Sequence, residues 1–218
     1  MRRLSKWTSL VLALVVIGLS GCGGAKLTPE VQKAFETNKE VYTQQNMYIL
    51  VGKYGHRYVD ATNYAIGTLI PVNSKVAFKD INAKQFSFVY QGQTIILKNI
   101  PKYTGLNISQ LADRYFNVNK VDVNKFTKTE KAVIAKPQGA LIPAHVRRNG
   151  PFGFSQTGGY GVYEIKEGMS KAAVLVARGY PPIHATSSTE ANTWKFWETR
   201  FETIFVNFEN NKVTTVSK

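Results

Sequence analysis

Residues 168–182 read GMSKAAVLVARGYPP, and residues 192–216 read NTWKFWETRFETIFVNFENNKVTTV. The first stretch spells a short helix with both ends marked. Ser170 supplies an N-cap oxygen. Met169 and Val174 stand where a hydrophobic staple places them, just before the cap and one turn inside. Gly179 suits the left-handed residue that closes a helix, and Pro181 and Pro182 prevent its continuation. The second stretch spells strands. Residues 192–197 are aromatic and β-prone, and over 201–208 Ile204, Val206 and Phe208 alternate with Phe205 and Asn207. Asn210-Asn211 is a two-residue hairpin turn, because Asn tolerates positive φ, and 212–216 is the last strand. The pattern predicts a helix packed on a three-stranded antiparallel meander.

Upstream the pattern changes. Between Met47 and Lys98, strands are predicted at 66–72, 75–78, 85–90 and 94–97, with Gln91-Gly92 as a turn between the last two. Short strands with glycine turns suggest a small antiparallel sheet or barrel, and Gly67 to Val72 suits the opening strand of an SH3-like barrel. Residues 107–116 (NISQLADRYF) predict a helix capped by Asn107, with Ile108, Leu111, Ala112 and Tyr115 on one face. Residues 117–151 are polar and basic and read as loops around short strands. Residues 152–163 (FGFSQTGGYGVY) are rich in glycine and aromatics.

The N-terminus carries an export signal. Arg2, Arg3 and Lys6 precede an apolar run from Leu10 to Leu19, which is shorter than the roughly 20 residues a membrane span needs. Leu19-Ser20-Gly21-Cys22 then resembles a bacterial lipobox. The resemblance implies cleavage before Cys22, a thioether-linked diacylglycerol on it, and a further acyl chain such as palmitate on the new amine. Cys22 is the sole cysteine, so no disulfide forms within the chain. The absence of Asp after Cys22 resembles lipoproteins sorted to the outer membrane, which places the chain on the periplasmic side of that membrane. A short tether from Cys22 leads to Thr28-Pro29-Glu30, which starts a helix expected to run to about residue 43.

The order Gly168-Met169-Ser170, Val174, Gly179-Tyr180-Pro181, Thr193-Trp194 with Phe196 and Trp197, then an alternating strand, a hairpin and Lys212-Val213 resembles the BamE (SmpA/OmlA) family. Its members are small outer-membrane lipoproteins that accompany the machine inserting β-barrel proteins. The resemblance covers about the last quarter of the chain plus the lipobox, and implies two helices on a three-stranded sheet. Residues 44–160 have no counterpart in that family. The stretch just before Gly168, with Gly158, Gly159 and Gly161, is not helical in character. Either the first helix comes from elsewhere, or the module is a cousin with its own role.

The expected fold class is therefore α+β: short helices packed on a C-terminal three-stranded sheet, behind a small mainly-β region. The expected division is a signal at 1–21, a tether and helix at 22–43, a central region at 44–160 and a helix-plus-three-strand module at 161–218.

The composition, 44% hydrophobic and 19% charged, is that of a globular chain. The formal net charge is +14, and loss of Arg2, Arg3 and Lys6 with the signal leaves about +11. Such a surface attracts anionic lipid head groups or acidic proteins, while export argues against nucleic acid. The histidines, His56, His145 and His184, have no metal-ligand spacing, and the acids Asp60, Asp80, Asp113 and Asp122 are isolated. With no nucleophile motif and no phosphate loop, neither an enzyme nor a cofactor is expected. The expected role is a protein-interaction module in envelope or β-barrel assembly, with Tyr163, His184, Trp194, Trp197, Phe201 and Phe205 as partner-binding residues. The alternative is a ligand- or cell-wall-binding lipoprotein with a groove lined by Tyr48, Tyr54, Tyr58 and Tyr64.

Overall fold

The computed structural model describes residues 41–135 except 53, 63, 65, 66 and 83, residues 165–218 except 199 and 200, and also Pro29 and Lys33. The chain runs through β1 (Val41–Thr43), β2 (Met47–Val51), β3 (Arg57–Asp60), β4 (Thr68–Ile70), β5 (Lys75–Ile81), β6 (Gln85–Tyr90) and β7 (Gln93–Lys98). Helices α1 (Pro101–Thr104) and α2 (Ile108–Tyr115), strand β8 (Phe116–Asn117), a 3-10 turn at Val123–Lys125 and helix α3 (Lys128–Ala135) follow. Then come α4 (Lys171–Arg178), β9 (Thr193–Trp197), β10 (Thr203–Glu209) and β11 (Lys212–Ser217).

The first eight strands form one curled mixed sheet in the order β4-β2-β3-β7-β6-β5-β1-β8. Only β3 and β7 pair in parallel, with Tyr58 opposite Ile96 and Val59 opposite Leu97. Period-two alternation sends Phe86 and Phe88 of β6 and Ile95 and Leu97 of β7 into the core. There Phe116 stacks on Phe86 at 5.0 Å and meets Phe88 edge-on at 5.0 Å, while Phe78 lies 5.4 Å from Phe86. Helix α2 adds Ile108, Leu111, Ala112 and Tyr115 to this core. Its start is fixed by a capping box, in which Asn107 accepts from the Gln110 N–H and Gln110 accepts from the Asn107 N–H. Gln91 and Gly92 take φ of 48° and 74°, the left-handed pair that turns β6 tightly into β7.

The C-terminal strands form a separate antiparallel sheet in the order β11-β10-β9. Ser170 caps α4 by accepting from the Ala173 N–H. Asn210 and Asn211 make the β10–β11 turn at φ of 49° and 61°. Trp194, Phe196, Ile204, Val206, Phe208 and Val213 share one core with side chains of α3 and α4.

The α+β expectation is overturned. The chain is mostly β, an eight-stranded curled mixed sheet plus a three-stranded sheet, with few short helices, and it is not organised as helices on a C-terminal sheet. The SH3-like barrel falls with it, because the larger sheet is open, with β4 and β8 at its edges. The physical reason is that its extra strands are too short to leave a local pattern. Strand β1 is placed by Val41 opposite Val76, and β8 by Phe116 opposite Thr43. Three further expectations change. Pro29 and Lys33 are helical, but Val41–Thr43 is a strand, not the end of a helix. The stretch read as loops from 117 contains α3, and β4 covers only Thr68–Ile70.

Candidate protein-docking surface

Alternation along β9 and β10 gives the small sheet two unlike faces. The inner face is the core just described. The outer face carries Lys195, Trp197, Phe205 and Asn207, with Lys195 opposite Phe205 and Trp197 opposite Thr203. The Lys195 ammonium lies 5.1 Å from the Phe205 ring centre and 5.9 Å from that of Trp197, bridging the two aromatics. Beside them a polar row crosses the sheet: Thr193 Oγ1 donates to Asn207 Oδ1 at 2.7 Å, and Asn207 Nδ2 donates to Thr215 Oγ1 at 2.9 Å. Phe205 is 36% exposed, and Phe201, in the β9–β10 connection, is 88% exposed.

The loop after α4 extends this face towards the larger sheet. The Ile183 N–H donates to the Tyr103 carbonyl at 2.7 Å, and the Lys195 N–H donates to Thr186 Oγ1 at 2.9 Å. The loop is thereby fastened at both ends, and exposed His184 is held between two rings. Its centre lies 4.7 Å from Tyr103 and 6.1 Å from Trp197. Gly105 allows this approach: it takes φ of 67°, and a side chain there would meet Ile183 at 2.8 Å.

Three buried polar residues hold the parts in place. Asn46, after β1, donates its Nδ2 to the carbonyls of Ile134 and Ala177 at 3.0 and 3.3 Å, and its N–H to that of Val176 at 2.9 Å. It thus satisfies last-turn carbonyls of both α3 and α4 from the link between β1 and β2 of the larger sheet. Its Oδ1 accepts from the Val72 N–H at 2.8 Å. Glu130 forms a capping box with Thr127 at the start of α3, and its other oxygen accepts from Ser170 N–H and Oγ at 2.6 and 2.7 Å. Burial would raise the Glu130 pKa, but the hydrogen bonds from Ser170 and Thr127 more than reverse this and bring it to about 2. Arg178 is fully buried, donates to the Trp197 carbonyl and faces the Phe196 ring at 5.4 Å. Burial lowers its pKa to about 10, against the opposing influence of Tyr48, Glu198 and Tyr115.

Of the residues expected to bind a partner, His184, Trp197 and Phe205 lie together, and Phe201 lies in the turn beyond them. Trp194 is corrected: it is wholly buried, 4.5 Å from Phe208, because its place in the alternation turns it inward. Cys22 and Tyr163 lie outside the described residues. The four tyrosines proposed for a groove are unlike in their surroundings, and Tyr64 lies near enough to Tyr58 to raise its pKa, behind burial and Asp60. Tyr48 is buried against Leu69, Tyr54 is 78% exposed, and Tyr58 lies under the Lys98 ammonium at 3.9 Å. Asn46, Glu130 and Arg178 were missed. Only Glu130 had a local signal, the Thr127-Lys128-Thr129-Glu130 capping-box spacing.

Among the described residues, no group of three or more His, Cys, Asp or Glu is arranged to hold a metal. Among the same residues, no helix is long and apolar enough to cross a membrane. No protein-family model, curated protein or solved structure matches this chain.

Proposed function

We propose that this protein is a non-enzymatic lipoprotein held on the periplasmic face of the outer membrane by lipid on Cys22, where it docks an envelope or β-barrel assembly protein. The observation that carries the reading is the outer face of the small sheet. Two aromatic rings, Trp197 and Phe205, are bridged there by Lys195 and continued by His184, on the side of the sheet that the core does not use. Aromatic rings are what protein interfaces concentrate at their centres, while a charge such as that of Lys195 belongs to the solvated rim. The basic balance of the chain, about +11 once Arg2, Arg3 and Lys6 leave with the signal, favours an acidic partner. The lipobox at residues 19–22 supports the anchor, and the resemblance of residues 168–213 to BamE proteins supports the assembly setting.

Photo-crosslinking in cells, from His184 and Phe205 of the lipidated chain, tests the reading, with Tyr54 on the larger sheet as the control position. Capture of β-barrel assembly subunits from the first two positions and not from Tyr54 is the expected result. Equal capture from all three positions, or none of those subunits, overturns it. Cys22→Ser is expected to remove the lipid and keep the chain out of the outer-membrane fraction, and retention in that fraction would refute the anchor.

A further inference from the structure

Where the loop after α4 meets the larger sheet there is a crevice with room for about one water molecule. Ala61, Tyr103, Arg114, Tyr115, Tyr180 and Pro181 line it. Arg114 is half-buried, and its guanidinium lies 4.1 Å from the centre of the Tyr180 ring. Stacking on a ring leaves the edge of a guanidinium, with its fan of N–H donors, free to bind. Among the described residues no carboxylate and no hydrogen-bond acceptor is paired with it.

Two other polar groups of the crevice are already engaged. The Tyr115 hydroxyl donates to the Ala61 carbonyl at 3.4 Å, and Thr104 Oγ1 donates to Asn99 Oδ1 at 2.9 Å. The nearby acid Asp60 is occupied by its own turn, its Oδ1 accepting from the Thr62 N–H at 2.9 Å and the Thr62 hydroxyl at 2.6 Å. Asp113 precedes Arg114 on α2, and neighbours one residue apart on a helix point in different directions. Arg114 is thus a cation partly withdrawn from water with no paired anion among the described residues, and burial lowers its pKa.

We propose that this crevice receives one carboxylate side chain of the protein docked on the sheet face. The proposal rests on the docking reading above. Two observations select this ligand. The crevice has room for about one water molecule, too little for a free small-molecule ligand, but enough to seat one carboxylate oxygen against the Arg114 edge. It is also continuous with the docking face through Tyr103, whose ring touches both the crevice and His184. A guanidinium N–H donates a charge-assisted hydrogen bond to a carboxylate oxygen, stronger than one to a neutral acceptor. An acidic side chain set beside aromatic or apolar ones on the partner would fill the crevice and cover Trp197 and Phe205 together.

The test is nuclear magnetic resonance of the full-length lipidated chain in detergent micelles, following the Arg114 Nε–H and Trp197 indole signals. Arg114→Lys assigns the first. The probes are a blocked tetrapeptide with one glutamate between tryptophan and phenylalanine, its glutamine counterpart, and inorganic phosphate. The expected result is saturable movement of both signals with the acidic peptide, and binding of the glutamine peptide weaker by about tenfold. Arg114→Gln should bring the acidic peptide to the level of the neutral one. If both peptides move Trp197 equally and neither moves Arg114, docking stands and the carboxylate site falls. If phosphate moves Arg114 and neither peptide does, the crevice is a free-anion site and the proposal falls. If nothing moves either signal, the docking reading falls as well. The comparison of the two peptides on the unmodified chain needs no variant to fold.

Discussion

The two sheets bury similar aromatic cores but are fastened differently. In the larger sheet Phe78, Phe86, Phe88 and Phe116 pack ring on ring, across strands drawn from both ends of its sequence. In the smaller unit the core is also apolar, but its helices are tied by single buried polar groups. Glu130 joins α3 to the start of α4, Asn46 joins the ends of both helices to the larger sheet, and Arg178 joins α4 to β9. An apolar stack responds to lost volume. A polar tie responds to the loss of one atom or one charge, because the donors left behind are buried.

Phe86→Ala should give the largest effect, a loss of about 3–5 kcal/mol by denaturant unfolding, since Phe86 packs against the rings of Phe78, Phe88 and Phe116. A loss below about 1 kcal/mol would mean the stack does not hold the sheet. Glu130→Ala follows, at about 2–4 kcal/mol, because it removes a buried carboxylate that serves the α3 cap and the part-buried N–H and hydroxyl of Ser170. Hydrogen exchange sharpens the comparison here. Amides of 128–135 and 171–178 should lose protection while those of 86–97 keep it, and a uniform loss would erase the distinction between the two units.

Acid should act on the same tie. The folded-state pKa of Glu130, about 2, lies below its ordinary 4.5, so its contribution is complete above about pH 4.5 and is lost as pH falls towards 2. The displacement corresponds to about 3 kcal/mol. Glu130→Gln should remove this part of the pH dependence, and an unchanged acid limb in urea unfolding would count against the assignment. Asn46→Ala is expected to cost about 2 kcal/mol, through last-turn carbonyls left without their donor. Its effect should fall on α3 and α4 more than on β6 and β7. The smallest stability effect belongs to Phe205→Ser on the outer face, within about 0.5 kcal/mol. The same change should abolish partner capture, and capture that survives it would separate the exposed rings from function.

Much of the local structure was legible. Ser170 and Gly179 bound α4, Asn107 caps α2, and the alternation of 203–208 sorts inner from outer residues. The same alternation, applied to Trp194, would have turned it inward beside Phe196 instead of placing it among binding residues. The helix at 128–135 was missed in a polar, basic stretch, although Thr127 and Glu130 stand at capping-box spacing there. Nothing local marks Asn46 or Arg114. Their meaning lies in partners at other positions of the chain: Ile134 and Ala177 for one, Tyr180 for the other.

The sequence by itself determined what depends on neighbours a few residues apart: the caps, the left-handed turns at Gln91-Gly92 and Asn210-Asn211, the alternating strands, and the lipobox spacing at Cys22 that motivates the anchor. The tertiary structure decided what depends on distant pairing. Strands of two or three residues, such as β8 and β1, have no pattern of their own and exist because Thr43, Val76 and Phe116 come together. Likewise His184 becomes part of a row of rings only when its loop is fastened to Tyr103. Local hydrogen bonds and periodicity are written in consecutive residues, whereas long-range contacts are chosen by the packing of the whole chain.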